Sequence, residues 1–153
     1  MIALIQRVSE ARVEVHGETV GAIGRGILVL AAVERDDAEP QVERLAERVL
    51  NYRIFPDDAQ RMNRSVRDIG GELLLVSQFT LAADTQSGNR PSFTPAAAPE
   101  QGRRLFERFV EAVRRRHDRI ATGRFGADMQ VALINDGPVT FSLRVPPATS
   151  GRS

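Results

Sequence analysis

Two short runs carry the residues whose types and spacing could do chemistry: Ser77-Gln78-Phe79-Thr80-Leu81 and Asn135-Asp136-Gly137-Pro138-Val139-Thr140. The first sets two hydroxyls and a carboxamide directly after the apolar run Leu73-Leu74-Leu75-Val76. Such a switch marks a strand leaving the core. Period-two alternation puts Gln78 and Thr80 on one face and Ser77 and Phe79 on the other. A Ser or Thr hydroxyl is a weak nucleophile unless a base stands beside it. His16 and His117 are the only imidazoles, one in a hairpin turn and one at a helix end, which disfavours a Ser-His triad. Two readings stay open: a strand end whose hydroxyls satisfy loop amides, or a site that works with positioned hydroxyls and main-chain dipoles.

In the second run, Asp136-Gly137-Pro138 reads first as a β-turn. The other reading is more specific. Glycine lets a backbone come unusually close to another group, and an x-Pro bond is the one peptide bond that readily becomes cis. A Gly-cis-Pro pair can aim two neighbouring carbonyls in nearly the same direction. That would be a rigid probe, free of side chains, for the stereochemistry of a ligand's Cα.

The missing residue types remove whole chemistries. The chain has no Cys and no Lys, so all 21 of its basic residues are Arg. That excludes disulfides, thiol nucleophiles, Cys-ligated zinc, Schiff bases and a phosphate-loop lysine. No metal and no cofactor are expected. A net charge of +1 gives no general attraction to nucleic acid, so RNA contact would rest on local Arg clusters and no DNA partner is expected. With 153 residues, 42% of them hydrophobic and 27% charged, the chain has the make-up of one globular domain with a proper core. The longest apolar stretch, Ile27 to Val33, is too short to span a membrane. Met1 to Arg7 reads as a first strand rather than a signal peptide, which makes the cytoplasm the expected location.

The elements that must position the two runs follow from periodicity. Strands are expected at Ile2–Val8, Ala11–Val15 and Thr19–Gly24, with a turn at His16-Gly17-Glu18. Gly26–Val33 is uniformly apolar and reads as a strand buried on both faces. Asp36-Asp37 offers an N-cap to an amphipathic helix over about 38–51. Phe55-Pro56-Asp57-Asp58 breaks it. A central strand runs from Glu72 to Phe79, a long polar loop covers about 82–99, and a second helix about 99–118 carries Leu105, Phe106, Phe109, Val110 and Val113 inward. Loops of that length are uncommon unless they have a function. Two last strands, about 128–135 and 139–145, are joined by Asp136-Gly137-Pro138. The fold class is α/β: one domain over 1–146, a mixed sheet with two main helices on one side, and a flexible tail over 147–153.

Four motifs, in order along the chain, carry a resemblance: Ser77-Gln78-Phe79-Thr80-Leu81, Gly88-Asn89-Arg90-Pro91-Ser92-Phe93, Thr122-Gly123-Arg124-Phe125-Gly126-Ala127-Asp128-Met129 and Asn135-Asp136-Gly137-Pro138-Val139-Thr140. With the start Met1-Ile2-Ala3-Leu4-Ile5-Gln6-Arg7-Val8, they resemble the D-aminoacyl-tRNA deacylases, formerly called D-tyrosyl-tRNA deacylases, from Met1 to about Val145. The resemblance implies a homodimer of three-layer β/β/α subunits. It implies hydrolysis of the ester joining a D-amino acid, or achiral glycine, to the 3′-terminal adenosine of tRNA. Gly137-Pro138 matches the family's Gly-cis-Pro motif, which reaches across the dimer into the partner's site and excludes L side chains.

The implied catalytic segment is Ser77, Gln78, Phe79 and Thr80. Main-chain N–H groups near Phe79 and Thr80 would bind the developing oxyanion, a contribution of about 10²–10³ in rate per donor. Water attacks, and Thr80 positions rather than attacks. Phe125 and Met129 would line the adenine pocket, against plain core packing as the alternative. Arg7 would brace the Gly-Pro segment, against an ordinary surface arginine. Arg114-Arg115-Arg116 suits the negative end of its helix dipole in any case, with phosphate contact as a second role. Competing functions are a tRNA-end binding module without catalysis, a Ser or Thr esterase for small molecules, and a structural dimer.

Overall fold

The computed structural model describes residues 1–148. Most of the expected tail, 149–153, lies outside the described residues. The long first strand β1, Ile2–Val15, is continuous where the sequence pattern predicts two strands. It stays paired throughout because its partners change along its length. Residues 2–8 pair antiparallel with β3 (Gly26–Ala32), and residues 11–15 with β2 (Glu18–Ile23).

The last strand, β8 (Gln130–Arg144), pairs antiparallel with the other edge of β1 over nearly all of that strand. The chain does not reverse at Asp136-Gly137-Pro138, so the β-turn reading is overturned. Gln6 faces Thr140 and Val8 faces Asn135, which leaves Asp136, Gly137, Pro138 and Val139 opposite Arg7 alone. Surplus residues of this kind leave the ladder as a bulge.

On the far side of β3 the sheet continues with two parallel partners, β6 (Glu72–Ser77) and β7 (Ile120–Thr122). The strand order is β2-β1-β3-β6-β7, with β8 added on β1, a mixed sheet as expected. β7 is too short to have shown a period in the sequence. Ahead of β6, a two-strand ribbon pairs β4 (Phe55–Pro56) with β5 (Met62–Arg64), where only a helix break was expected.

Two cores separate three layers. Ile5, Ile27, Val29, Leu73 and Leu75 pack against the helices. Val8, Val13, Ile23, Leu28, Leu74 and Val76 form a second cluster inside the folded sheet. Neighbours on β3 and β6 thus point into different cores, which is why those strands are apolar at every position. At the fold of the sheet Gly21 lies so close to β7 that a Cβ would strike the Thr122 carbonyl.

Helix α1 (Glu39–Asn51) buries Val42, Leu45, Ala46, Val49 and Leu50. Helix α2 (Pro99–Arg114) buries Leu105, Phe106, Phe109, Val110 and Val113. Asp37 does not cap α1. Instead the Gln41 carboxamide oxygen accepts the Ala38 N–H at 2.8 Å. Asp37 turns inward and accepts the Glu34 N–H at 2.7 Å and the Met1 ammonium at 2.9 Å. Burial pushes the Asp37 carboxyl above its ordinary range, against the pull of those donors. α2 stops four residues short of the expected end; just beyond it His117 keeps its N–H on the Val113 carbonyl at 3.0 Å and places its Nε2 2.6 Å from the Gly71 carbonyl. Among the described residues no helix is long and apolar enough to cross a membrane.

Candidate active site

The parallel strands β3, β6 and β7 finish side by side, with Ser77 beside Ala31 and Thr122 beside Leu75. Crevices beyond the carboxyl ends of such strands are where α/β sheets take ligands. Here a cavity of about 270 Å³ opens among Ala31, Ser77, Phe79, Gly102, Phe106 and Phe125. Its walls are small or aromatic, and the Phe106 and Phe125 ring centres lie 6.1 Å apart. A flat heterocycle fits such a slot better than a charged group does.

At the rim the strand stops two residues earlier than the pattern predicts. Gln78 donates its N–H to the Ala31 carbonyl at 2.7 Å, and Phe79–Ala82 then coil into a 3-10 turn. Period-two faces therefore end at Ser77. The first N–H groups of any helical turn lack internal acceptors, and those of Phe79 and Thr80 have none among the described residues. Leu81 and Ala83 are satisfied by the Gln78 and Thr80 carbonyls, each at 3.1 Å. The Gln78 carboxamide donates to Thr80 Oγ1 at 2.5 Å and so fixes that hydroxyl. The Phe79 ring is 60% exposed and leans on Phe93, also exposed, with ring centres 5.3 Å apart. The polar loop behind them is pinned by paired main-chain bonds between Asp84 and Ser92, at 2.7 and 3.0 Å.

Neither imidazole is near this rim. His117 sits beside Gly71, before the start of β6, whereas Ser77 ends that strand. His16 follows β1 at Val15, while Ser77 aligns through Ala31 with Ala3, ~40 Å of strand away. Among the described residues no three His or carboxylate side chains converge as a metal-binding group.

The Gly137-Pro138 bond is cis, and both residues are exposed on the bulge. Arg7 donates Nε to the Asp136 carbonyl at 2.9 Å and Nη1 to the Ile54 carbonyl at 2.7 Å. Asn135, absent from the expected site residues, clasps the bulge. Its Nδ2 donates to the Arg7 and Val139 carbonyls at 2.9 and 3.0 Å, and its Oδ1 accepts the Val139 N–H at 3.2 Å. The four-residue spacing of Asn135 and Val139 around Gly-Pro is the signal that could have revealed it.

Within one chain the bulge and the cavity lie apart. Ser77 aligns through Ala31 and Ala3 with Leu143 of β8. Three strand spacings, ~14 Å, separate them, and Gly137 is a further ~20 Å along β8. The structure thus groups Ser77, Gln78, Phe79, Thr80 and Phe125 in one place, and Arg7, Gly137 and Pro138 in another.

Met129 stands with the inner sheet core, outside the cavity lining, and its sulfur accepts the Arg124 N–H at 3.4 Å. It shapes the loop that presents Phe125. Arg115 and Arg116 both donate to Glu43 on α1, at 2.6 and 2.9 Å. Those bonds hold the Glu43 carboxyl below its ordinary range and engage two arginines of the triplet in helix packing.

The fold thus sets main-chain donors and two hydroxyls at the rim of an aromatic slot, with neither imidazole nearby. The family model for D-Tyr-tRNA(Tyr) deacylase matches residues 4–144. A D-aminoacyl-tRNA deacylase of Methylococcus capsulatus is 69% identical over 147 residues, 96% of each chain. One of Alkalilimnicola ehrlichii is 63% identical over 98% of this chain and all of its own. A solved structure of a c-Myc DNA unwinding element binding protein superposes with a TM-score of 0.92 at 42% identity, over 95% of this chain and 99% of that one. A probable eukaryotic D-amino acid tRNA deacylase shares the fold, with a TM-score of 0.75 at 20% identity over 93% and 98%. The chain belongs to the D-aminoacyl-tRNA deacylase family, whose members are hydrolases.

Proposed function

We propose that this protein hydrolyses the ester between a D-amino acid, or glycine, and the 3′-terminal adenosine of tRNA, as a homodimer in the cytoplasm. The observation that carries this reading is the pair of unsatisfied N–H groups, Phe79 and Thr80, at the rim of the aromatic cavity. The terminal adenine enters beside Phe125, which brings the ester carbonyl to those donors. Water attacks the carbonyl carbon, and the oxyanion that forms takes their hydrogen bonds. The ester C–O bond then breaks, the ribose oxygen takes up a proton, and tRNA and free amino acid leave. An aminoacyl ester is already activated, so preorganised dipoles suffice.

Chirality is read by exclusion. The exposed Gly137-Pro138 bulge is too far from its own cavity, so it serves the cavity of a second copy. There its carbonyls hold the substrate amino group, and an L side chain meets backbone where a D side chain meets solvent. Glycine, with no side chain, passes the same filter. The exposed Phe79 and Phe93 rings and the exposed Ile134 and Phe141 on β8 supply apolar surface for such pairing.

The test follows ester loss from D-Tyr-tRNA and L-Tyr-tRNA under single-turnover conditions. Rapid loss from the D form with the L form untouched supports the reading. Protection of both esters would mark a binding module, and equal loss would remove the chiral filter.

A further inference from the structure

We propose that Arg103 is the contact for the 5′-phosphate of the nucleotide whose base fills the cavity, a reading that rests on the deacylase assignment above. Gly102 and Arg103 are neighbours on α2 at the cavity mouth. Gly102 lines the cavity, and a Cβ there would lie 4.0 Å from Phe125 Cζ. The Arg103 guanidinium carbon stands 4.8 Å from the centre of the Phe125 ring. Its Nη2 lies 3.9 Å from where a Cβ of Gly126 would be. The guanidinium therefore lies over the Phe125 ring beside Gly126, two residues of the cavity wall, while itself outside the lining.

The residues lining the cavity include no charged side chain. A base can enter it, but the phosphate on the same nucleotide must stay outside, next to Arg103. Inside the protein, Arg103 has one ion pair among the described residues, a 3.8 Å contact with Glu107, and the two side chains are 56% and 61% exposed. Pairs of that kind hold weakly. The fork is free to turn to a phosphate, whose geometry it matches.

The experiment compares wild type with Arg103→Gln and Arg103→Lys on two substrates, D-Tyr-tRNA and D-tyrosyl-adenosine, which has the ester but no phosphate. With Arg103→Gln, KM for the tRNA rises about tenfold at low salt, and the slope of log affinity against log salt falls by about 0.7, the loss of one single-strand phosphate contact. Turnover at saturation changes less than about twofold. On D-tyrosyl-adenosine, KM rises no more than about threefold, the share of the cation–π contact with Phe125. Arg103→Lys keeps the charge and recovers most of the salt slope. An equal KM rise on both substrates, or an unaltered slope, would overturn the proposal and leave Arg103 as packing for Phe125. Wild-type turnover of both substrates keeps the deacylase assignment standing in that event.

Discussion

Arg7 reaches from the first strand to the last, its Nε 2.9 Å from the Asp136 carbonyl, one residue ahead of Gly137. The other arm of the same guanidinium holds the Ile54 carbonyl, and the side chain is only 14% exposed. One planar group thus sets the height of the bulge above β1. Arg7→Lys offers a single ammonium that cannot serve both carbonyls. It should cost about 1–3 kcal/mol in a denaturant melt and lower D-Tyr-tRNA turnover more than tenfold. A variant with wild-type kinetics would remove Arg7 from the account.

Gly137→Ala tests the bulge itself. The added Cβ would lie 2.6 Å from Val139 Cγ2 and closer still to the Val139 N–H, so the Gly-Pro segment must shift. A displacement of about 1 Å in a positioning group can cost about 10²-fold in rate. Single-turnover deacylation should fall by that order, while the bulge's exposure keeps the loss of melting temperature small.

The proposed oxyanion donors can be edited one atom at a time. Phe79 is the first residue of its 3-10 turn, a position that accepts proline. Phe79→Pro deletes the N–H and should lower kcat about 10²–10³-fold. Phe79→Leu keeps the N–H and should keep kcat within about fivefold. Equal kinetics for the two variants would move the oxyanion elsewhere.

Glu43 ties α1 to α2 and gives the protein a pH signature. Hydrogen bonds from Arg115 and Arg116 hold its carboxyl below the ordinary value of 4.5. A lowered carboxylate contributes stability above its unfolded value and loses it as pH falls through the folded one. The pair is partly exposed, so the contribution is below about 1 kcal/mol. Glu43→Gln should melt lower than wild type at pH 7, by no more than about 2–4 °C, and the gap should close as pH falls from the ordinary value of 4.5 through the lowered folded one. A gap that persists in acid would assign the loss to packing.

Elements defined by their own periodicity were legible in the sequence. The stripes Val42, Leu45, Val49 and Leu105, Phe109, Val113 located both helices, and the unbroken apolar runs of β3 and β6 located the buried strands. What depends on distant partners was not. β1 continues through Ser9-Glu10 because β8 stays paired along its edge, and Asp37 turns from cap to core because Met1 meets it there. Asp136-Gly137-Pro138 looks like a turn locally, yet the ladder on either side keeps it a bulge.

The site shows the same division. Ser77 to Thr80 announced themselves by the break from apolar to polar, as did Gly137-Pro138 by composition. The cavity did not, since its walls come from the ends of β3 and β6, from α2 and from the Phe125 loop. Phe125 reached it and Met129, four residues on, turned into the inner core. Arg115 and Arg116 read as available charge until α1 supplied Glu43.

Complementation between two damaged chains is the most direct measurement. Phe79→Pro disables a cavity and leaves its bulge intact, while Gly137→Ala does the reverse. Each homodimer should be nearly inactive on D-Tyr-tRNA. If the bulge of one copy completes the cavity of the other, mixed dimers contain one intact site and should regain about half the wild-type rate per dimer. Mixed dimers no more active than either parent would contradict a site shared between two chains.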